Sequence, residues 1–267
     1  MGRRMAFGSS GSVHALRCPV IWAMVGLVER PILELTTRRL IVQVPPVSSA
    51  RRVLEYCVRN RAHLGPWEPP RPNEYYSLPF WRRQIAGSRD EFEAGASMRT
   101  VFMERDPDAA DGGRGGRVVG IINVSQIVRG AFQAAIIGYS LDGESQGRGL
   151  MTEALEAVID YGFNGLELHR VMANYRPENT RSGAVLERLG FAKEGYAKDY
   201  LFIDGAWRDH VLTSLVRSAW DASVAAKAET KGQAESQAAH GGAHPPHSIA
   251  QPAGQSAAQS GPKQAAK

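Results

Sequence analysis

Residues 138–151 read Gly138-Tyr139-Ser140-Leu141-Asp142-Gly143-Glu144-Ser145-Gln146-Gly147-Arg148-Gly149-Leu150-Met151, and they constrain the chain more than any other stretch. An apolar strand ends near Leu141, a glycine loop follows, and an amphipathic helix opens at Leu150. Glycine lets backbone come close to a ligand, and a helix starting at such a loop aims its unpaired N–H groups and positive dipole end at whatever sits there. The segment therefore reads as an anion site suited to a diphosphate. It lacks Gly-Lys-Ser/Thr, so it is not a triphosphatase P-loop. Thr152 stands where a dinucleotide fingerprint needs its third glycine. A plain tight turn into a helix is the competing reading.

The punctuation on either side predicts one α/β domain over 31–221, a mixed sheet with helices on its faces in the order β-α-α-β-β-β-α-β-α-β-β. A short strand over 39–44 alternates Leu40, Val42 and Val44 and stops at Pro45-Pro46. Ser48 or Ser49 is expected to cap a helix with Val53, Leu54, Cys57 and Val58 on one stripe, and Ser77 with Pro79 to open a second. Strands follow over 98–104, 117–128 and 131–141, the last two joined at Arg129-Gly130. A helix over 150–163 buries Leu150, Met151, Ala154, Leu155, Val158 and Ile159. A strand over 170–175, a helix over 180–189 closed by Gly190, and strands over 196–203 and 207–216 joined at Asp204-Gly205 complete the order.

Charge separates the body from its ends. The net charge is +5, but 31–221 holds 24 basic and 24 acidic residues, so the excess sits in 1–30 and 222–267. A neutral body gives no overall footprint for a polyanion, although a local basic pocket is compatible with it, and no direct DNA binding is expected. Cys18 and Cys57 make no disulfide framework, which points to a reduced, cytoplasmic compartment. The apolar run 18–28 is too short to span a membrane, and Glu29-Arg30-Pro31 replaces a cleavage site, so 1–30 reads as a dispensable extension or as sequence upstream of a start at Met24. From 222 the chain turns to Ala, Gln, Gly, Ser, Pro and His without aromatics, a composition that predicts a disordered tail. His240, His244 and His247 in it lack the partners of a metal site, and no metal is expected.

Gln146-Gly147-Arg148-Gly149 resembles the Gln/Arg-x-x-Gly-x-Gly/Ala signature of the GCN5-related N-acetyltransferases (GNAT), with Met151 where small residues are commoner. Asn179-Thr180-Arg181-Ser182 and Leu186-Glu187-Arg188-Leu189-Gly190-Phe191 look like a second motif of that family. Gly65-Pro66-Trp67-Glu68-Pro69, Met172-Ala173-Asn174-Tyr175, Glu194-Gly195-Tyr196-Ala197-Lys198-Asp199-Tyr200 and Ile203-Asp204-Gly205-Ala206-Trp207-Arg208-Asp209-His210 are similar to the RimJ-type ribosomal-protein-alanine N-acetyltransferases. The resemblance covers 38–217.

It implies transfer of acetyl from acetyl-CoA to the α-amino group of an N-terminal alanine on a small-subunit ribosomal protein. Residues 146–151 (Gln146, Gly147, Arg148, Gly149, Leu150, Met151) would then cradle the pyrophosphate, with Arg148 as an extra cation. Ser140 and Leu141 would offer backbone groups to the pantetheine amides and the thioester carbonyl. Asn179 would hold the pantetheine arm and Ser182 return a proton to the departing thiolate. Trp67, Glu68 and Tyr139 are candidates for binding the acceptor, with Trp67 and Trp81 also able to serve as core.

No histidine stands out as a base, and His63, His169 and His210 read as structural or surface residues. An α-amino group with a pKa near 8 is roughly one tenth neutral at pH 7, so a weak base acting through water suffices. Tyr175, Glu178 and Asp199 are candidates, Glu178 first. Two other readings stay open: acetylation of a small amine, and a ribosome-assembly factor that binds ribosomal particles with acetyl-CoA incidental. No membrane association is expected.

Overall fold

Eight strands of the described residues, 32–240 of a computed structural model, form one sheet in the order β1-β2-β3-β4-β5-β6-β8-β7. The expected extension 1–30, and the tail beyond His240 with His244 and His247, lie outside the described residues. β1 (Glu34–Thr36), β2 (Leu40–Gln43), β3 (Met98–Glu104), β4 (Val118–Val128) and β5 (Ala134–Leu141) are successively antiparallel. β5 then pairs in parallel with β6 (Arg170–Met172) across the crossover helix α4 (Leu150–Asn164). β6 pairs with β8 (Ala206–Val216), and β7 (Ala192–Ile203) closes the edge. Asp204 and Gly205, both at positive φ, form the expected tight turn between β7 and β8.

Both faces of the inner strands are covered, so 40–42 of β2 and 101–103 of β3 are unbroken apolar runs. Leu40, Val42 and Phe102 face α4, whose Leu150, Leu155, Val158, Ile159 and Phe163 fill one core. Ile41, Val101 and Met103 face the other way, onto α1 (Ala50–Arg59) and α3 (Leu78–Glu93). Short α2 (Arg61–Leu64) follows α1, and α5 (Thr180–Arg188) stands between β6 and β7.

The structure corrects several local expectations: β1 precedes the first strand read from the sequence, and β4 and β5 are joined over 129–133 rather than meeting at Arg129-Gly130. The buried stripe of α1 is Val53, Tyr56 and Cys57, with Val58 exposed, because a helical face repeats at three and four residues and Tyr56 satisfies that spacing from Val53. Ser49 precedes α1 without capping it, since its Oγ accepts instead from Arg52 Nη2 at 2.8 Å. Ser77 does cap α3, accepting from the Phe80 N–H. Beyond 221, the expected disorder gives way to helix: α6 (Arg217–His240) runs through an alanine-rich stretch whose Glu, Lys and Gln are also strong helix formers. The chain divides into two units after Ser223; Trp220 of α6 belongs to the core of the first, and the described residues of the second are helical.

Candidate active site

The sheet opens where β6 stops. Gln133 O accepts from the His169 and Arg170 N–H groups, and Asp142 N–H donates to Val119 O at 2.8 Å. In β5 the odd-numbered residues therefore turn their backbone groups toward β6 and the even-numbered ones toward β4. The register with β6 ends at Ile136↔Met172, after which Ala173 and Tyr175 bond to Thr213 and Val211 of β8. Backbone groups of Tyr139 and Leu141 are left facing a gap. Such an edge can take an extended amide chain as an added strand. The expected backbone role fits Leu141 in this geometry but not Ser140, whose backbone faces Ile121 of β4 and whose Oγ accepts from Tyr56 Oη at 2.9 Å.

At the end of that edge lies the glycine loop. Gly147 and Gly149 adopt φ of 75° and 74°, the left-handed region where a side chain costs about 1–2 kcal/mol. Gly149 occupies the N-cap position of α4 and leaves the first turn without a side-chain acceptor. Those N–H groups stand where the sequence reading expects an anion.

Partners far apart in sequence hold the loop. Asp142 is 1% exposed and accepts from Arg59 Nε (2.9 Å) and Nη2 (2.7 Å), with Arg117 Nη2 at 3.4 Å. Burial raises its pKa, but the Arg59 hydrogen bond, the Glu144 N–H and the charges of Arg59 and Arg117 outweigh this and hold it below the usual carboxylate range. Asn60 Oδ1 accepts from the Gly143 N–H at 3.0 Å, and His63 Nε2 meets Gln146 Nε2 at 2.9 Å. Gln146 Oε1 accepts from Arg181 of α5. Arg39 donates to Arg148 O at 2.8 Å and to Glu153, clamping the start of α4. The Arg148 guanidinium, expected as an extra cation for the ligand, is paired with Glu104 of β3.

Tyr139 and Ser182 meet on the α4 and α5 side of the sheet, Oη to Oγ at 2.7 Å. Burial pushes the Tyr139 phenol up to about 12, against a smaller lowering by Ser182, so it stays protonated at neutral pH. Asn179 Oδ1 caps α5 by accepting the Ser182 N–H at 3.1 Å. Tyr175 lies over Gly183, where a Cβ would come within 2.9 Å of its ring. Glu178 is exposed and 3.4 Å from Arg176 Nε, and Arg176 also donates to Pro66 O and lies over the Trp67 ring at 5.2 Å. Arg176 thus ties the 65–68 turn to the start of α5.

On the opposite face a cavity of about 190 Å³ is lined by Tyr56, Cys57, Glu68, Arg71, Tyr75 and Ser140, among others. Its floor is therefore the same stretch of β5 whose edge is open. Glu68 accepts from Arg71 at 3.0 Å. Burial pushes the Cys57 thiol up to about 12, so it remains a thiol there. Trp81 is buried beneath α3, whereas Trp67 is 36% exposed. The structure thus separates Tyr139, which sits with Ser182, from Glu68 in the cavity. Asn60, His63, Arg59 and Asp142 were not legible as site residues, since their partners lie about 80 positions away.

A family model described as an acetyltransferase (GNAT) domain matches residues 43–192, from β2 through the loop and α5 to the first residue of β7. The chain belongs to the GNAT acetyltransferase family. The sequence is 44% identical over 190 residues to the [ribosomal protein uS5]-alanine N-acetyltransferase of Escherichia coli, covering 71% of this chain and 94% of that protein. The crystal structure of the ribosomal-protein-S5-alanine acetyltransferase from Vibrio fischeri superposes with a TM-score of 0.64 at 36% identity, covering 70% of this chain and 98% of that one. Mycobacterium smegmatis RimJ in complex with CoA-disulfide gives 0.62 at 31%, covering 70% and 89%. Within the GNAT fold the open β5 edge is followed along the chain by the left-handed glycines and the uncapped start of α4, and Ser140 of the same strand lines the cavity. No described helix is long and apolar enough to cross a membrane.

Proposed function

We propose that this enzyme transfers acetyl from acetyl-CoA to the α-amino group of an N-terminal alanine on a small-subunit ribosomal protein. The observation carrying the substrate is the 44% identity, over nearly the full length of the relative, to an enzyme named for acting on ribosomal protein uS5 alanine. The residues fit the donor. The N–H groups of 149–151 and the left-handed glycines suit a pyrophosphate, and the β5 edge suits the amides of the pantetheine arm. Asn179, its Oδ1 engaged in the cap, orients the start of α5 beside that arm.

The acceptor enters through the cavity, its ammonium facing Glu68, with Trp67 at the rim. Loss of one proton from nitrogen, through water to Glu178, gives the neutral amine, and the Tyr175 phenol borders the same path. The amine attacks the thioester carbon; a C–N bond forms, the C–S bond breaks, and the Leu141 N–H faces the carbonyl oxygen as charge develops on it. The leaving sulfur takes a proton from Ser182 Oγ, which Tyr139 holds in place, and the second proton that nitrogen sheds as the amide forms returns through water to Ser182. Association with the ribosomal particle during the reaction is part of this reading.

The test is mass spectrometry of N-terminal peptides after ribosomal proteins are incubated with the enzyme and isotopically labelled acetyl-CoA. Label is expected on an N-terminal alanine. Label confined to lysine side chains overturns the substrate, and no label on any protein overturns the reading.

A further inference from the structure

The balanced charge of 31–221 conceals a segregation. Residues 47–89 hold Arg51, Arg52, Arg59, Arg61, Arg71, Arg82, Arg83 and Arg89 against only Glu55, Glu68 and Glu74. The rest of that body must then carry an equal excess of acid. All eight arginines sit on the layer of α1, α2 and α3 that covers one face of the sheet, or on its connecting turns.

Four of them are committed internally. Arg59 holds Asp142, Arg71 holds Glu68, Arg52 donates to the carbonyls of Arg114 and Gly116, and Arg89 donates to Pro45 O. Arg51, Arg61, Arg82 and Arg83 are exposed, and none has a carboxylate within ion-pair distance among the described residues. Arg61 lies over the Tyr76 ring at 4.4 Å, at the mouth of the acceptor cavity.

The helices place these four along one surface. α1 and α3 lie side by side with Val53, Tyr56, Cys57, Trp81 and Ile85 turned inward. They run in opposite senses: Arg89 near the end of α3 reaches Pro45 before α1, while Tyr75 before α3 meets Cys57 near the end of α1. Arg51 therefore stands beside the later turns of α3, Arg82 and Arg83 stand in its earlier turns, and Arg61 closes the row. Glu55 is the one carboxylate on the exposed side of α1. The acids of α3, Asp90, Glu91 and Glu93, are gathered in its last turn, where Glu91 accepts from Ser97 and pairs with Arg99.

We infer that this outward face docks the phosphate backbone of an RNA. Neutralising phosphates needs cations and little else. A protein partner would need a desolvated aromatic or aliphatic anchor. Apart from Val58, the exposed positions between the arginines are small or polar: Ala62, Pro79, Ala86 and Gly87. The choice of RNA over another polyanion rests on the ribosomal reading above, since a ribosomal acceptor is presented amid RNA.

The experiment is fluorescence polarisation of the full chain with a fluorescein-labelled 20-base-pair RNA hairpin at 50 and 200 mM KCl. With four phosphate contacts, affinity should fall roughly 50- to 150-fold between these salts. The triple variant Arg51→Gln, Arg82→Gln, Arg83→Gln should flatten the slope of log affinity against log salt by roughly two to three. Turnover on a short alanine-starting peptide should be unchanged, and an unchanged thermal transition certifies the fold even if no peptide turns over. Absence of binding by the wild-type chain at 50 mM KCl overturns the inference, as does a variant that binds RNA with the wild-type slope. So does displacement of the hairpin by poly-glutamate at equal concentration of charge, which would assign the face to an acidic protein.

Discussion

Replacing Arg59 by methionine leaves the Asp142 carboxylate in the interior with most of its compensation gone. Removing one partner of a buried pair costs about 3–5 kcal/mol. Arg59 is 27% exposed and Arg117 stays 3.4 Å from the carboxylate, so the expected loss is smaller. We expect ~2–3 kcal/mol, a fall of roughly 5–10 °C in Tm for a domain of this size. The Asp142 pKa is depressed in the folded protein. The stabilisation it supplies is therefore complete above the unfolded value near 4 and is lost as pH falls through the lower folded value. The gap between wild type and Arg59→Met should accordingly be wide at pH 7 and narrow in acid. In an Asp142→Asn background the same replacement should cost under about 1 kcal/mol, because no buried charge is left behind. Thermal unfolding of the four proteins at pH 7.5, and of the first two down to about pH 2.5, measures the cycle. A loss below about 0.5 kcal/mol, the range of a neutral surface change, refutes the reasoning. Full additivity of the two replacements would refute it equally, since it would show no coupling between the guanidinium and the carboxylate.

Three further outcomes follow from the site. Gly147→Ala and Gly149→Ala each impose about 1–2 kcal/mol of backbone strain, so calorimetry should find coenzyme A bound roughly five- to thirtyfold more weakly; unchanged affinity would remove the loop from the phosphate site. Ser182→Ala should lower kcat by roughly 10- to 100-fold with little change in KM for acetyl-CoA, and Tyr139→Phe should lower it less, as measured by thiol release; an effect on KM alone would make Ser182 a binding residue. Glu178→Gln should depress the rate below pH 8, where the acceptor must lose a proton, and a full rate from pH 6 to 9 would dismiss Glu178 as the base.

What the sequence disclosed and what it hid divide along a physical line. Asp204-Gly205, Ser77 with Pro79, and the paired glycines 147 and 149 act on their own neighbours, so the β7–β8 hairpin, the start of α3 and the glycine turn into α4 were legible, whereas Arg129-Gly130 marked only the place of the longer β4–β5 turn. The supports of that loop were not. Asn60 to Gly143 and Arg59 to Asp142 span 83 residues each, and no local pattern announces them. The same limit applies to Ser140, whose backbone direction depends on pairing with β4 rather than on its own identity. Counting charges over the whole body also hid the arginine face, because an average cannot see which side of the sheet a residue occupies. The helix beyond 221 was missed for a different reason: absence of aromatics argues against a core, but not against an alanine-rich helix.

The outermost strand has a consequence for how this molecule lives in a crowded solution. β7 is twelve residues long and exposed along nearly all of them, with Tyr196, Leu201 and Phe202 uncovered, an invitation to a neighbour's backbone. Its register against β8 slips between Lys193 and Gly195 and again between Ala197 and Leu201, where Asp199 turns to a φ of 49°. A visiting strand would meet two kinks in a row and find nowhere to zip up, so the border stays sticky to side chains yet closed to fibre growth.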